Sequence, residues 1–166
     1  MEKRWNILEA DSAKVAALQT ALKIHPILCE LLVQRGIEDF DKAKQFFRPS
    51  LSDLHDPWLM KDMDKAVDRI LAAFHQHEKI LVFGDYDVDG TTAVSLVSSY
   101  LKSYYSDVAT YIPDRYEEGY GLSYKGIDTA LERGASLMIA LDCGIKEVEK
   151  VAYAKEKGLP IIVCDH

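Results

Sequence analysis

Three aspartates stand at alternate positions in one short stretch, GDYDVDG, which holds Asp85, Asp87 and Asp89 between two glycines. Asp142 lies in LDCG, and Asp165 is followed by His166 in VCDH. Carboxylates mixed with an imidazole suit Mn²⁺ or Mg²⁺ better than zinc, whose usual thiolate sets are absent. Brought into one crevice, four to six such groups could not all be buried as unpaired charges, so together they call for cations. Two divalent ions bridged by carboxylates activate water and stabilise an in-line displacement at phosphorus. Phosphoryl transfer needs positioning and charge neutralisation more than a covalent nucleophile. No Walker A sequence, GxSxG elbow or paired GxGxxG fingerprint offers a competing chemistry. A calcium loop would need a Glu six residues past Gly90, where Leu96 stands. The residues alone therefore point to a metal-dependent phosphoesterase, although any one of these acids could simply cap a helix, as Asp89 before Gly90-Thr91 could.

A second stretch, IPDRYEEGYGLS at 112–123, carries groups suited to a substrate. Arg115 could grip a phosphate with both arms of its guanidinium, and Tyr116 or Tyr120 could stack on a base. Gly119 and Gly121 would let the backbone come close to a ligand. The alternative is a surface loop with a salt-bridged arginine.

The elements that must position these residues follow from the apolar pattern. Residues 1–60 read as short helices: Ser12–Lys23 behind an Asp11 cap, with Val15, Leu18 and Leu22 at helical spacing. A second helix opens at His25-Pro26 and stops at Gly36, with Ile27, Leu31 and Leu32 inward. A third starts at Asp39 or Asp41 and runs through Phe47, ended by Pro49. His25, His55 and Cys29 are isolated and read as structural. From residue 61 the chain alternates helix and strand. Helices are expected at Met63–Phe74 (Ala66, Ile70 and Phe74 on one side), Thr91–Leu101, Tyr124–Glu132 and Lys146–Lys157. Strands are expected at Ile80–Phe83, Val108–Ile112, Leu137–Leu141 and Pro160–Cys164. Apolar strands separated by helices indicate an α/β fold, a parallel sheet of about four strands covered on both faces. Ligands of such sheets bind outside the carboxyl ends of the strands, where the strand order switches. The order 2-1-3-4 would set the first, third and fourth strands side by side and bring the three acid groups together.

Composition narrows the classes. The 166 residues are 48% hydrophobic and 28% charged, an ordinary globular balance. No apolar run is long enough to span a bilayer, and MEKRWNILEAD turns acidic before any secretory h-region, so a cytoplasmic protein is expected. Cys29, Cys143 and Cys164 form no CxxC pattern and read as reduced thiols. The net charge of −7 argues against a nucleic-acid binder. Clustered acids that hold cations, or a basic surface on other chain, would remove that objection.

GDYDVDGTT, IPDRYEEGYGL, LDCGI and VCDH resemble, in order, motifs of the DHH phosphoesterase superfamily, and specifically of its RecJ branch. The resemblance runs from about Lys61 to His166, and the helical N-terminal segment is similar to the start of RecJ proteins. It implies a 5′→3′ exonuclease of single-stranded DNA, dependent on Mn²⁺ or Mg²⁺, acting in recombination and repair, with a helicase and a single-strand-binding protein as expected partners. By the family pattern Asp87, Asp89, Asp142 and His166 look like metal ligands, with Asp85 and Asp165 in or beside the same shell and Asp142 bridging two ions. Arg115, with Tyr120 and Gly121, would face the substrate. The family motif breaks off after its first histidine, so a catalytic domain at 61–166 truncated within that motif, with little activity alone, is expected. Three other readings remain: a related phosphodiesterase of short oligonucleotides or cyclic dinucleotides, a non-catalytic replication scaffold, and a phosphoacceptor receiver domain. The receiver reading leaves Asp165-His166 and EGYGL unexplained.

Overall fold

The four apolar runs of the C-terminal part become four parallel strands, and the two central ones are buried on both faces. The computed structural model describes Arg4 and residues 6–166. It divides into two compact units, Met1–Leu59 and Met60–His166.

In the first unit, α1 (Ser12–Leu22) starts at Asp11, whose Oδ1 accepts the N–H of Ala13 at 2.9 Å, and it ends at Lys23 in left-handed backbone. α2 (Pro26–Val33) has its proline in the first turn, where no N–H is missed, and the Nδ1 of His25 accepts from the Ile27 N–H. His25 is thus a helix cap. α3 (Phe40–Phe47) is capped by Asp39, which accepts from the Lys42 N–H at 2.8 Å. Two single 3₁₀ turns, Leu51–Asp53 and Pro57–Leu59, follow. The core of this unit is Leu18, Cys29, Leu32, Val33 and Ala43. Leu32 is inside as expected, but Ile27 and Leu31 are exposed. Helix α2 is apolar nearly all round, so its spacing alone could not single out the inner face.

The second unit begins with α4 (Met63–His75) and continues as β1 (Lys79–Gly84), α5 (Val88–Lys102), β2 (Val108–Tyr111), α6 (Tyr124–Glu132), β3 (Ala135–Leu141), α7 (Val148–Glu156) and β4 (Ile161–Cys164). All strand pairs are parallel and the order is β2-β1-β3-β4, as the apolar pattern predicts. Alternate residues of β1 feed two cores. Ile80 and Val82 join Ala73 of α4 and Val94 and Leu101 of α5 on one face. Leu81 and Phe83 join Ile127 and Ala130 of α6 and Ala154 of α7 on the other. Phe83 is fully buried, which by transfer energy contributes about 1.5–3 kcal/mol.

The register decides where the chemistry falls. Gly84 pairs with Leu141, and Leu141 with Cys164. Asp85, Asp142 and Asp165, each one residue further on, therefore leave three adjacent strands at the same level.

Candidate functional site

Helix α5 starts at Val88, three residues earlier than its apolar spacing suggests, so Asp87 and not Asp89 is its cap. The Oδ1 of Asp87 accepts from the Gly90 N–H at 2.9 Å, and its Oδ2 accepts from the Tyr120 hydroxyl at 2.7 Å. These two donors, the Gly90 N–H first, hold its carboxyl below the usual aspartate range. Asp89 lies in the first turn of the same helix. The turn can wrap this tightly only because residue 90 is glycine: a Cβ there would sit 2.5 Å from the Asp85 carbonyl oxygen and 2.6 Å from its nitrogen.

Asp142 closes β3 with φ of 57°, left-handed backbone that costs a non-glycine residue energy and that functional sites often retain. Its N–H reaches the Cys164 carbonyl at 2.8 Å, which ties the turn to β4. Burial, then the charges of Asp87 and Asp89, pushes its carboxyl above the usual range, while His166 pulls the other way. The His166 Nε2 lies 3.7 Å from the Asp142 Oδ1, and the imidazole is 96% exposed, open to a further partner. Asp165 binds the turn after β3: its Oδ2 accepts from the Ile145 N–H at 2.9 Å and its Oδ1 from the His166 N–H at 2.8 Å.

These residues line one open cleft of about 360 Å³. Asp87, Asp89, Asp142, Asp165 and His166 are all in its wall, as are Tyr120 and Gly121. Asp85 is not; it is fully buried behind the cleft. Lys146 and Glu147 are in the wall too, on the turn after LDCG, where spacing alone offered no signal beyond their nearness to Asp142. Among the described residues no three His, Cys, Asp or Glu side chains are already gathered to hold a metal ion, and Asp87 and Asp165 are engaged in hydrogen bonds. The donor chemistry nonetheless fits a hard divalent cation. Five carboxylates and an imidazole share the wall, and the repulsion that adds to burial in raising the Asp142 carboxyl is what a cation relieves.

From the 112–123 segment, Tyr120 and Gly121 reach the cleft wall. Arg115 lies over the Tyr86 ring, its guanidinium carbon 4.5 Å from the centroid, and Tyr86 meets Tyr120 edge to face. Among the described residues Arg115 makes no ion pair, and it is not in the cleft wall. Tyr116 is almost wholly exposed. The Gly121 N–H is committed to Asp85, and that glycine takes φ of +85°. Glu118, which spacing gave no reason to single out, organises the segment. It accepts from the Tyr111 hydroxyl, the Asp114 N–H and the Ser123 hydroxyl. Burial raises its carboxyl, but those three donors outweigh it and leave the group below its usual range.

Residues 79–166 match the model of the DHH family, N-terminal domain. The single-stranded-DNA-specific exonuclease RecJ of Bacillus subtilis is 42% identical over 163 residues, 98% of this chain and 21% of that protein. The RecJ of Escherichia coli is 34% identical over 146 residues, 87% of this chain and 24% of that protein. Among solved structures, RecJ of Thermus thermophilus in complex with Mn²⁺ superposes with a TM-score of 0.66 at 27% identity, over 98% of this chain and 22% of that one. A manganese-bound exonuclease RecJ superposes with a TM-score of 0.59 at 35% identity, over 64% of this chain and 27% of that one. The chain thus spans between a fifth and a quarter of the length of these curated relatives.

Proposed function

Because the chain belongs to the DHH family, we propose that it carries part of the metal site of a phosphodiesterase that degrades single-stranded DNA from the 5′ end. The observation that carries this reading is the single cleft to which three strand ends deliver Asp87 and Asp89, Asp142, and Asp165 with His166. Similarity to RecJ proteins across nearly the whole chain supports the choice of substrate.

Asp87, Asp89, Asp142 and His166 would hold Mn²⁺ or Mg²⁺, with Asp165 beside them and Asp142 between two ions. When bound, such cations supply charge neutralisation at the transferring phosphoryl group and a more acidic attacking water. The chain's own residues do the positioning. The α5 cap and the Tyr120 hydroxyl orient the Asp87 carboxylate, and the left-handed turn directs Asp142 into the cleft. Arg115, stacked on Tyr86, would turn toward a phosphate, and Tyr120 in the cleft wall would meet a base. A cytoplasmic enzyme fed by a helicase, on strands covered by a single-strand-binding protein, fits this chemistry. Among the described residues no helix is long and apolar enough to cross a membrane.

The test uses the longest natural polypeptide containing this sequence. It is incubated with 5′- or 3′-labelled single-stranded and duplex DNA, in Mn²⁺ or EDTA, beside an Asp142→Ala variant. Mononucleotide release from the 5′ end of single strands alone, absent in EDTA and in the variant, is the expected outcome. Cleavage of di- to pentanucleotides with long DNA left intact would replace this reading with the oligonucleotide phosphodiesterase. No cleavage of either would favour the scaffold.

A further inference from the structure

Asp85 shares the motif of Asp87 and Asp89 but not their surroundings. Its side chain is fully buried and lies outside the cleft wall. Both carboxylate oxygens are engaged by backbone donors: Oδ1 by the Tyr86 N–H at 2.6 Å, Oδ2 by the Gly121 N–H at 2.9 Å. A buried carboxylate needs such donors, and here one of them comes from 36 residues away in sequence. The bond therefore joins the end of β1 to the loop between β2 and α6.

That loop is anchored a second time through Glu118, held by Tyr111 at the end of β2 and by Ser123 at the cap of α6. Between the two anchors stands Tyr120, whose hydroxyl reaches back 33 residues to the Oδ2 of Asp87. A carboxylate oxygen has two lone pairs, so this bond can set the direction of the Asp87 group while leaving it a face for a cation.

We propose that Asp85 is a positioning residue: it pins the 112–123 loop through Gly121, and the loop, through Tyr120, orients the Asp87 carboxylate. Asp85 then acts on the cleft without holding a cation. The inference rests on the proposed function only in treating Asp87 as a metal ligand.

The experiment uses the longest natural polypeptide containing this sequence. Amide exchange across the loop is followed in EDTA, and Mn²⁺ affinity is measured separately by calorimetry. In the wild type the Gly121 amide is protected without metal. In Asp85→Asn, loop exchange in EDTA rises by about tenfold, and Mn²⁺ still binds with unchanged stoichiometry but about tenfold more weakly. Glu118→Gln, which leaves Asp85 in place, loosens the same loop. Tyr120→Phe leaves the loop protected yet weakens Mn²⁺ binding, a change that a merely structural role would not produce. Asp142→Asn, the ligand reference, loses Mn²⁺ and keeps the loop protected. The proposal is overturned if Asp85→Asn behaves like Asp142→Asn, with a protected loop and no Mn²⁺ bound. It is equally overturned if the wild-type Gly121 amide exchanges freely, a reading that needs no variant to fold. A wild type that binds no Mn²⁺ would instead count against the proposed function, while the exchange data still decide the anchor.

Discussion

Asp142 combines two costs at one position: left-handed backbone and a carboxyl held near other carboxyls. Asparagine tolerates that backbone better than most residues, so Asp142→Asn isolates the charge from the geometry. The variant is expected to keep its fold, to lose measurable Mn²⁺ binding, and in EDTA to melt no lower than the wild type. The pH dependence has a definite sign. The folded chain holds the Asp142 proton to a higher pH than the unfolded chain does, so ionisation of this group removes stability as pH rises past the ordinary aspartate value. Melting in EDTA across that range, wild type against Asp142→Asn, checks it: a wild-type slope that persists in the variant would assign the effect elsewhere. That Asp87, Asp89, Asp142 and Asp165 share the cleft was legible in the sequence, because each group follows an apolar run; that Asp85 lies behind it and Glu147 within it was not. Nor was what each carboxylate does. Asp85 and Asp87 flank Tyr86 in one motif, and their different roles emerge only in the fold, where the Gly121 N–H meets one and the Tyr120 hydroxyl the other.

At the scale of elements, β1 and α5 are joined by a turn whose tightness rests on two glycines. A Cβ on Gly84 would lie 2.4 Å from the Val94 Cγ2 and 2.8 Å from the Gly90 carbonyl oxygen. Gly84→Ala must push α5 away from the sheet, at a cost of about 1–3 kcal/mol by the usual toll of overpacking. Because α5 carries Asp87 and Asp89, the same shift should weaken Mn²⁺ binding; a lowered melting temperature with wild-type affinity would separate the two effects. The strands were readable because parallel strands covered on both faces are continuous apolar runs, and 80–83 and 137–141 are such runs. The start of α5 was not. An acidic DYDVDG reads as loop by composition, and Asp87 becomes a cap only once the chain turns beneath it. The inner face of α2 was missed for the opposite reason, an excess of apolar residues.

At the scale of the molecule, a cleft rich in carboxylates couples the stability of the second unit to its cations. Mn²⁺ at about a hundred times its dissociation constant should add about 2.7 kcal/mol, roughly 10 °C in melting temperature for a unit of this size. EDTA should reverse the gain, and Asp142→Asn should not show it; an equal rise in that variant would place the bound ion somewhere else. Part of the acidic balance behind the net charge of −7 lies in the cleft wall. The shared register of the three strand ends has one more consequence. Strand length here is an address. Deleting one residue within β3 would keep an apolar run but draw Asp142 back by about 3.3 Å and turn it to the opposite face of the sheet. Natural variation in length should therefore be absent from β1, β3 and β4.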